Sequence, residues 1–186
     1  MRMAGTNSCL MQTAFLHSPV GQIELCGCEK GLHNIQLNPH SKPSDSASQP
    51  CVLSDGQVEL NSELQRCVKW LQSYFSEAQS VATLPLPTFH HPILHGDSFT
   101  ARVLWTLFRQ VSVGETVSYK RLAEMAGNPR AIRAVGGAMR RNPIPLLIPC
   151  HRVLPSSGQT GLYMGGKGNH IKEWLLTHES VQKGRE

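Results

Sequence analysis

The chain has 186 residues, a formal net charge of +5 and 40% hydrophobic residues, a composition typical of globular rather than disordered proteins. No apolar run approaches the roughly 20 residues of a membrane span, and the N-terminus lacks a secretory signal, so we expect an intracellular protein with no membrane partner. Six cysteines in a reducing compartment do not predict a disulfide framework; each is a buried thiol, a metal ligand or a nucleophile.

The first predicted elements are strands within residues 13–37. The run GQIEL at 21–25 alternates polar and apolar residues, as a half-buried strand does. Turn residues on both sides of this run predict a small antiparallel sheet. Residues 38–56 are rich in Pro and Ser, which predicts a mobile loop.

A helix is predicted over residues 57–78. Apolar residues recur there at helical spacing, namely Leu60, Leu64, Cys67, Val68, Leu71 and Phe75. The following segment, ATLPLPTFHHP, contains three prolines and predicts an extended connector. The domain boundary is placed here, between an N-terminal α/β domain (1–92) and a C-terminal domain (93–186).

Three helices are predicted after the boundary. Ser98 is a capping residue for a helix over 98–111, and further helices fit 119–126 and 129–140. Asn128-Pro129 supplies an N-cap and a first-turn proline for the third helix. Two helices around a short Gly-containing turn resemble a helix-turn-helix, whose second helix faces DNA. Many helical hairpins bind nothing, so a purely structural pair stays open.

The remaining chain contains one more predicted helix. Four prolines in PIPLLIPCHRVLP exclude a long helix after Asn142. A Gly-rich loop, SSGQTGLYMGGKGN, comes next. The last helix is predicted over 170–180, with Ile171, Trp174 and Leu175 facing inward.

Basic residues are concentrated between positions 125 and 172, a window without Asp or Glu. The window contains Arg130, Arg133, Arg140, Arg141, Arg152, Lys167 and Lys172. A positive field of this kind suits a polyanion such as nucleic acid. A solvated basic surface without a ligand is the alternative.

Cys150 is the candidate nucleophile, because it lies between Pro149 and His151 inside this window. Cations lower the pKa of a cysteine, and we expect His151, Arg152 and the arginine-bearing helix to do so here. A cysteine with a histidine base is a recognised nucleophilic pair. Neighbours in sequence need not touch, so an inert Cys-His pair stays open at this point.

A second group of cysteines and histidines comprises Cys9, Cys28, His33 and His90. Cys and His are the ligands of tetrahedral zinc, and Cys28 and His33 flank a predicted turn. The spacing is not that of a regular zinc finger, so buried thiols and surface imidazoles are the alternative.

Residues 98–179 strongly resemble the O6-alkylguanine-DNA alkyltransferases, also called methylated-DNA–protein-cysteine methyltransferases. The resemblance is carried by GETVSYKRLAEMAGNPRAIRAVGGAMRRNP, by IPCHRV and by IKEWLLTHE. SPVGQIELCGCEKGLHNIQL and FHHPIL resemble the vertebrate type. The resemblance implies a small N-terminal α/β domain with an antiparallel sheet and a mainly helical C-terminal domain with a helix-turn-helix, as the elements above also predict.

For the chemistry, the resemblance implies irreversible transfer of the alkyl group from O6-alkylguanine, and weakly from O4-alkylthymine, to Cys150. It implies that His151 deprotonates Cys150 through a water molecule and that Glu179 orients His151. Asn142 is implied to support this hydrogen-bond network. Nucleophile, base and orienting group follow the logic of a catalytic triad.

For DNA, the resemblance implies binding of the duplex through the minor groove with the damaged base flipped out of the stack. Arg133 is implied to fill the vacated space, and Tyr119 to rotate the 3′ phosphate and donate to N3 of the leaving guanine. Further matched contacts are Thr100, Lys120, Asn128 and Ser156. Gly136 and Gly137 allow close approach because they lack a Cβ atom.

The resemblance also implies a structural zinc ion on Cys9, Cys28, His33 and His90. Cys26, Cys51 and Cys67 match no ligand position. We expect a nuclear protein that is a monomer, with cooperative binding on DNA left open.

The sequence differs from the family's common pattern in three places. The loop before the last helix has Leu162 and Met164 where the family commonly has Asn and Ser, and two extra residues lie within 167–170. Arg141 replaces a usual glycine. These differences leave the chemistry unchanged but affect the alkyl pocket, where the flexible Met164 either narrows the space or adapts to larger groups.

Two rival functions are a DNA-binding protein that recognises alkylated bases without repairing them and a cysteine hydrolase. A pure binding protein needs no nucleophile at Cys150. A hydrolase needs an oxyanion hole, which the sequence does not identify.

Overall fold

The computed structural model describes residues 9–44, 49–56 and 59–183. The first half of the chain forms a four-stranded antiparallel sheet with the order β3-β2-β1-β4. Ile23 and Leu25 are fully buried, as the alternation at 21–25 requires. The predicted small sheet is therefore confirmed, and its strands are β1 (Gln12–Ser18), β2 (Gly21–Cys28), β3 (Gly31–Leu37) and β4 (Val52–Leu53).

Strand β4 lies inside the segment predicted to be a mobile loop, residues 38–56. Val52 pairs with His17 of β1 and Leu53 with Leu16, and the neighbouring Cys51 is buried. The loop prediction was wrong for these residues, because a strand of two residues is too short to show an alternating pattern. Residues 45–48 of the same segment lie outside the described part of the chain.

Helix α1 (Ser62–Ser76) packs on β1, β2 and β3 and confirms the predicted amphipathic helix. Asn61 is its N-cap, since the Asn61 side chain accepts a hydrogen bond from the Leu64 amide at 3.0 Å. The predicted helix therefore began too early in the chain. Positions 57 and 58 of the predicted helix are not described. The connector after α1 is not wholly extended as predicted, since it contains two 3₁₀ turns, Ala78–Thr83 and Pro92–Leu94.

The second half of the chain is mainly helical. Its helices are α2 (Phe99–Gln110), α3 (Tyr119–Met125), α4 (Ile132–Arg140) and α5 (Asn169–Lys183), with a parallel pair of two-residue strands, β5 (Val117–Ser118) and β6 (Val153–Leu154). Ser98 caps α2 as predicted. Helix α4 begins at Ile132 rather than at position 129. Asn128 closes a turn instead of capping the helix, because its carbonyl accepts from the Ala131 amide.

The two halves share one continuous apolar core. The amide of Ile35 in β3 donates to the Pro143 carbonyl at 2.9 Å, which attaches the edge of the sheet to the segment leading to Cys150. The boundary between residues 92 and 93 stays a prediction. Within the described ranges, the helices are all too short or too polar to cross a membrane.

Candidate active site

The parallel pairing of β5 and β6 assembles the site around Cys150. Val117 is opposite Val153, and Ser118 is opposite Leu154. Tyr119 follows β5 and position 155 follows β6, so both lie at the same end of the strand pair. A 3₁₀ turn, Cys150–Arg152, immediately precedes β6. Residues more than 30 positions apart in the chain thus reach one pocket.

The pocket has a volume of about 740 Å³. Its walls come from β3, from α3 and α4, from the proline-rich segment before Cys150 and from the loop that follows β6. Apolar side chains dominate these walls, including those of Leu162 and Met164 from the loop that differs from the family pattern. The lining residues are Ile35, Gln36, Leu37, Tyr119, Gly136, Met139, Arg140, Asn142, Pro145, Cys150, Pro155, Gly161, Leu162, Tyr163, Met164 and Gly165.

Cys150 lines the pocket with only 8% of its surface exposed. Burial raises the pKa of its thiol, and Asn142, Lys172 and Tyr163 oppose that effect only in part. The expectation that the neighbouring cations hold the Cys150 pKa below its usual value was therefore wrong. The resting thiol is protonated and needs a base.

His151 is fully buried, and its Nε2 lies 2.7 Å from Oε1 of Glu179. Burial lowers the pKa of His151 and outweighs the Glu179 carboxylate, which raises it. The favoured form is a neutral imidazole with its proton on Nε2, facing the carboxylate. Within the described part of the chain, Nδ1 has no hydrogen-bond partner. The ring is therefore prepared to accept a proton at Nδ1.

Glu179 of α5 accepts hydrogen bonds from four residues: His151, Arg152, Tyr74 and Gly114. Arg152 Nε and Nη2 donate to its two oxygens at 2.9 Å each. The Tyr74 hydroxyl donates to Oε1 at 2.7 Å, and the Gly114 amide to Oε2 at 3.3 Å. Burial opposes ionisation of Glu179, but His151 and Arg152 outweigh it and hold the pKa well below its usual range.

Sequence reasoning missed Lys172, which is 1% exposed. Its Nζ donates to the Val153 carbonyl at 2.8 Å and to the Leu162 carbonyl at 3.5 Å. Burial lowers the pKa of Lys172 to about 8, and Cys150 acts in the opposite direction. Lys172 is seven residues before Glu179, so helical spacing places both on one face of α5. That spacing was the signal available in the sequence.

Asn142 and Tyr119 both line the pocket, and the roles that the resemblance implies for them stay predictions. Asn142 donates to the Ile148 carbonyl at 2.8 Å and accepts from the Ile144 amide at 3.0 Å, which holds the proline-rich segment in place beneath Cys150. Burial raises the pKa of Tyr119, with Cys150 adding and Arg140 opposing. Its hydroxyl therefore stays protonated and able to donate.

The four proposed metal ligands converge at the other end of the N-terminal sheet. Their ligand atoms all lie within 4.8 Å of one another. His90 Nδ1 is 3.1 Å from His33 Nε2, 3.3 Å from Cys28 Sγ and 3.6 Å from Cys9 Sγ. A tetrahedral zinc ion with bonds of about 2.0 Å to nitrogen and 2.3 Å to sulfur sets its ligand atoms about 3.3–3.8 Å apart. The group fits a zinc ion.

Comparison with known proteins identifies the family. The model described as 6-O-methylguanine DNA methyltransferase, DNA binding domain, matches residues 98–181, and the model described as its ribonuclease-like domain matches residues 11–88. The methylated-DNA–protein-cysteine methyltransferase of Cricetulus griseus is 51% identical over 94% of this chain and 84% of its own, and that of Homo sapiens is 47% identical over 95% and 84%. The chain belongs to this methyltransferase family.

Solved structures agree with this family assignment. The Mycobacterium tuberculosis O6-methylguanine methyltransferase covers 93% of this chain and 94% of its own, with a TM-score of 0.69 and 28% identity. The same organism's OGT in complex with DNA has a TM-score of 0.68 and 29% identity, over 92% of this chain and 93% of its own. These findings confirm the predicted family, fold class and methyltransferase activity.

The positions matched to the family's DNA contacts all reach the surface of this methyltransferase. Arg133 is exposed on α4 and makes no ion pair within the described residues. The other matched positions with a surface-accessible side chain are Thr100, Lys120, Asn128 and Ser156. Gly136 of α4 lines the pocket, and a Cβ atom there would meet only the end of Arg140, at 3.8 Å. Among the described residues, crowding therefore does not require a glycine at this position.

The basic residues between positions 125 and 172 fall into a buried group and an exposed group. Arg152 and Lys172 are buried and bonded internally, so they are not part of a basic surface. The remaining five basic residues are exposed: Arg130, Arg133, Arg140, Arg141 and Lys167. Only these five can attract a polyanion directly.

Proposed function

We propose that this chain repairs O6-alkylguanine in DNA by transferring the alkyl group irreversibly to Cys150. One observation carries the assignment to this residue. The Cys150 thiol faces a pocket, and the adjacent His151 is a buried neutral imidazole whose Nε2 is held by Glu179. Family membership supports the reaction, and this geometry supports the residue.

The reaction follows from these protonation states. His151 accepts the Cys150 proton at Nδ1 through a water molecule, and the thiolate attacks the alkyl carbon in line with the departing oxygen. The S–C bond forms, the C–O6 bond breaks, and the electron pair moves onto the guanine. Tyr119 donates to N3 of the leaving base. Because the thioether is not hydrolysed, each protein molecule reacts once.

Alkyl transfer requires base flipping, since a guanine stacked in the duplex cannot bring its O6 group to a thiol buried in a pocket. Arg133 occupies the space left by the flipped nucleotide, and α4 approaches the minor groove with Gly136 close to the DNA. The pair α3 and α4 acts as the helix-turn-helix. Thr100, Lys120, Asn128 and Ser156 hold the backbone. Lys120, Asn128 and Ser156 are exposed and Thr100 is half-buried, which supports this arrangement.

The Cys9, Cys28, His33 and His90 group binds a structural zinc ion. Bound zinc connects the N-terminal segment to β2, β3 and the connector that carries His90, and so stabilises the fold. The convergence of the four donors supports this assignment. The protein acts as a monomer in the nucleus, where its substrate is.

The test uses duplex DNA with O6-methylguanine labelled on the methyl carbon. The expected result is one labelled methyl group on Cys150, located by mass spectrometry of the digested protein. Tight binding of the damaged duplex without transfer would support a damage sensor instead. Release of a labelled small product with regenerated protein would support a hydrolase.

A second test addresses base flipping. Arg133→Ala is expected to slow transfer from saturating duplex DNA far more than transfer from free O6-benzylguanine, because a free base needs no extrusion. Arg133→Lys separates charge from shape. Equal fractional losses on both substrates would leave Arg133 as a general electrostatic or structural residue.

A further inference from the structure

Tyr74 joins the N-terminal half of the molecule to the catalytic histidine. It lies on α1, is fully buried, and stacks on Trp70 with ring centroids 5.3 Å apart. Its hydroxyl crosses to α5 and donates to Glu179 Oε1 at 2.7 Å. That oxygen is the one that His151 Nε2 contacts. A residue of α1 thus contacts the group that orients the base.

A second hydrogen bond joins the backbone of Tyr74 to a neighbouring side chain of α5. The Nε2 atom of His178 lies 2.7 Å from the Tyr74 carbonyl and donates to it. His178 precedes Glu179 in α5, so α1 holds two successive residues of α5 from one position. Both contacts are buried. Rotation of α5 that would turn Oε1 away from His151 breaks both bonds.

We propose that Tyr74 is a positioning residue for alkyl transfer, because its hydroxyl holds the Glu179 carboxylate so that Oε1 receives the His151 Nε2–H. The inference rests on the proposed role of His151 as base. Arg152 alone does not define this orientation, because it donates to both oxygens of Glu179. The Tyr74 hydroxyl contacts one oxygen only. The Gly114 amide contacts only the other oxygen, at the longer distance of 3.3 Å, so the shorter Tyr74 contact is the one that fixes the oxygen facing His151.

Loss of the Tyr74 hydroxyl should also change the pH at which His151 loses its proton, in a definite direction. The groups that act on His151 are Glu179 and Lys172 of α5 and Arg152 beside it. A hydrogen bond from Tyr74 disperses part of the carboxylate's negative charge. Without it, Glu179 attracts a proton to His151 more strongly, and the imidazolium persists to higher pH. The base form of His151 then appears only at higher pH.

The experiment compares the full-length wild type with Tyr74→Phe, which keeps the ring packing and removes the hydroxyl. Single-turnover transfer from free O6-benzylguanine is measured from pH 5 to pH 9. We expect the rate at neutral pH to fall about tenfold, less than removal of a general base costs. The rise of rate with pH should move to higher pH. ¹⁵N NMR of the histidines should show the His151 imidazolium persisting to higher pH than in the wild type.

Phe75→Leu is the matched control, since Phe75 is the next residue of α1, is equally buried and packs against His178 and Trp174 without a polar contact. It should lower the melting temperature without moving the pH profile of transfer or the pH range over which His151 is protonated. Wild-type values of both readouts in Tyr74→Phe would overturn the proposal. The NMR readout does not require turnover, so it decides the role of Tyr74 even in a wild type that transfers no alkyl group, an outcome that would refute the proposed function separately.

Discussion

Two sites in this molecule use the same residue types for opposite purposes. Around Cys150, the histidine directs its Nε2 to a carboxylate and the thiol faces a pocket. In the group at Cys28, two thiols and two imidazoles direct their ligand atoms at one another within 4.8 Å. The group that contacts each histidine determines whether that histidine can act as a base or as a metal ligand. A carboxylate partner leaves one ring nitrogen for proton transfer, whereas convergent donors leave space for a cation.

The first and largest expected effect separates the two sites by their cysteines. Cys150→Ala should abolish alkyl transfer, because no other described cysteine lines the pocket, while duplex binding and metal content stay at wild-type levels. Gel-shift titration, labelled-methyl transfer and elemental analysis measure the three properties. Transfer at the wild-type level by Cys150→Ala would falsify the assignment of the acceptor.

The second expected effect removes the carboxylate that distinguishes the active site. Glu179→Gln should slow transfer from free O6-benzylguanine about 100-fold, since the base loses its orienting charge. It should also lower the free energy of unfolding at pH 7 by about 3 kcal/mol, because Arg152 is left buried without its partner. Stopped-flow kinetics and urea denaturation test the two effects.

The pH dependence of that stability has a definite sign. The pKa of Glu179 is depressed in the folded protein and is about 4.3 in an unfolded chain. Its stabilisation is therefore complete well above pH 4.3 and is lost as the pH falls from there towards the folded pKa. The difference in unfolding free energy between wild type and Glu179→Gln should shrink over this range. A difference that is constant from pH 7 to pH 3 would contradict the ionised pair.

The third expected effect concerns the proposed metal site at Cys28. Removing the metal with a chelator, or substituting Cys28→Ser, should lower the melting temperature by about 4–8 °C, which corresponds to about 2 kcal/mol in a chain of this size. Transfer to Cys150 should change less than twofold, because none of the four ligands lines the pocket. Calorimetry and elemental analysis provide the measurement. Cys26→Ser is the control, and an equal loss in that variant would argue against a metal site.

The smallest expected effect concerns the buried cation beside Cys150. Lys172→Met removes a charge that favours the thiolate, so the pKa of Cys150 should rise. Iodoacetamide modification of Cys150 at pH 7 should then slow about three- to tenfold, since one pKa unit changes the thiolate fraction tenfold. Mass spectrometry resolves Cys150 from the other cysteines. Lys167→Met, at an exposed lysine nearby, should leave the rate unchanged, and an equal effect there would reduce Lys172 to a general charge.

Local sequence patterns predicted the elements that local forces create. The alternation at residues 21–25 predicted β2, helical spacing predicted α1, and the Ser98 hydroxyl predicted the start of α2. The predicted start of α4 was wrong because Asn128-Pro129 suits a turn as well as an N-cap. Strand β4 was missed because a two-residue strand depends on its partner rather than on its own pattern.

The assignment of Cys150 as nucleophile and His151 as its base was made from the sequence and stays a prediction, since it rests on the family resemblance carried by IPCHRV and LLTHE. Their protonation states could not be predicted in this way. A window of basic residues indicated a lowered pKa at Cys150, but the fold buries the thiol, pairs Arg152 with Glu179 and raises that pKa. Charge in a sequence has no direction, and only the tertiary structure decides whether an arginine is exposed, as Arg133 is, or paired with a buried carboxylate, as Arg152 is. The Tyr74 hydroxyl contacts Glu179 although 105 positions of the chain separate the two residues. No local sequence pattern shows such a contact, because it depends on how the helices pack.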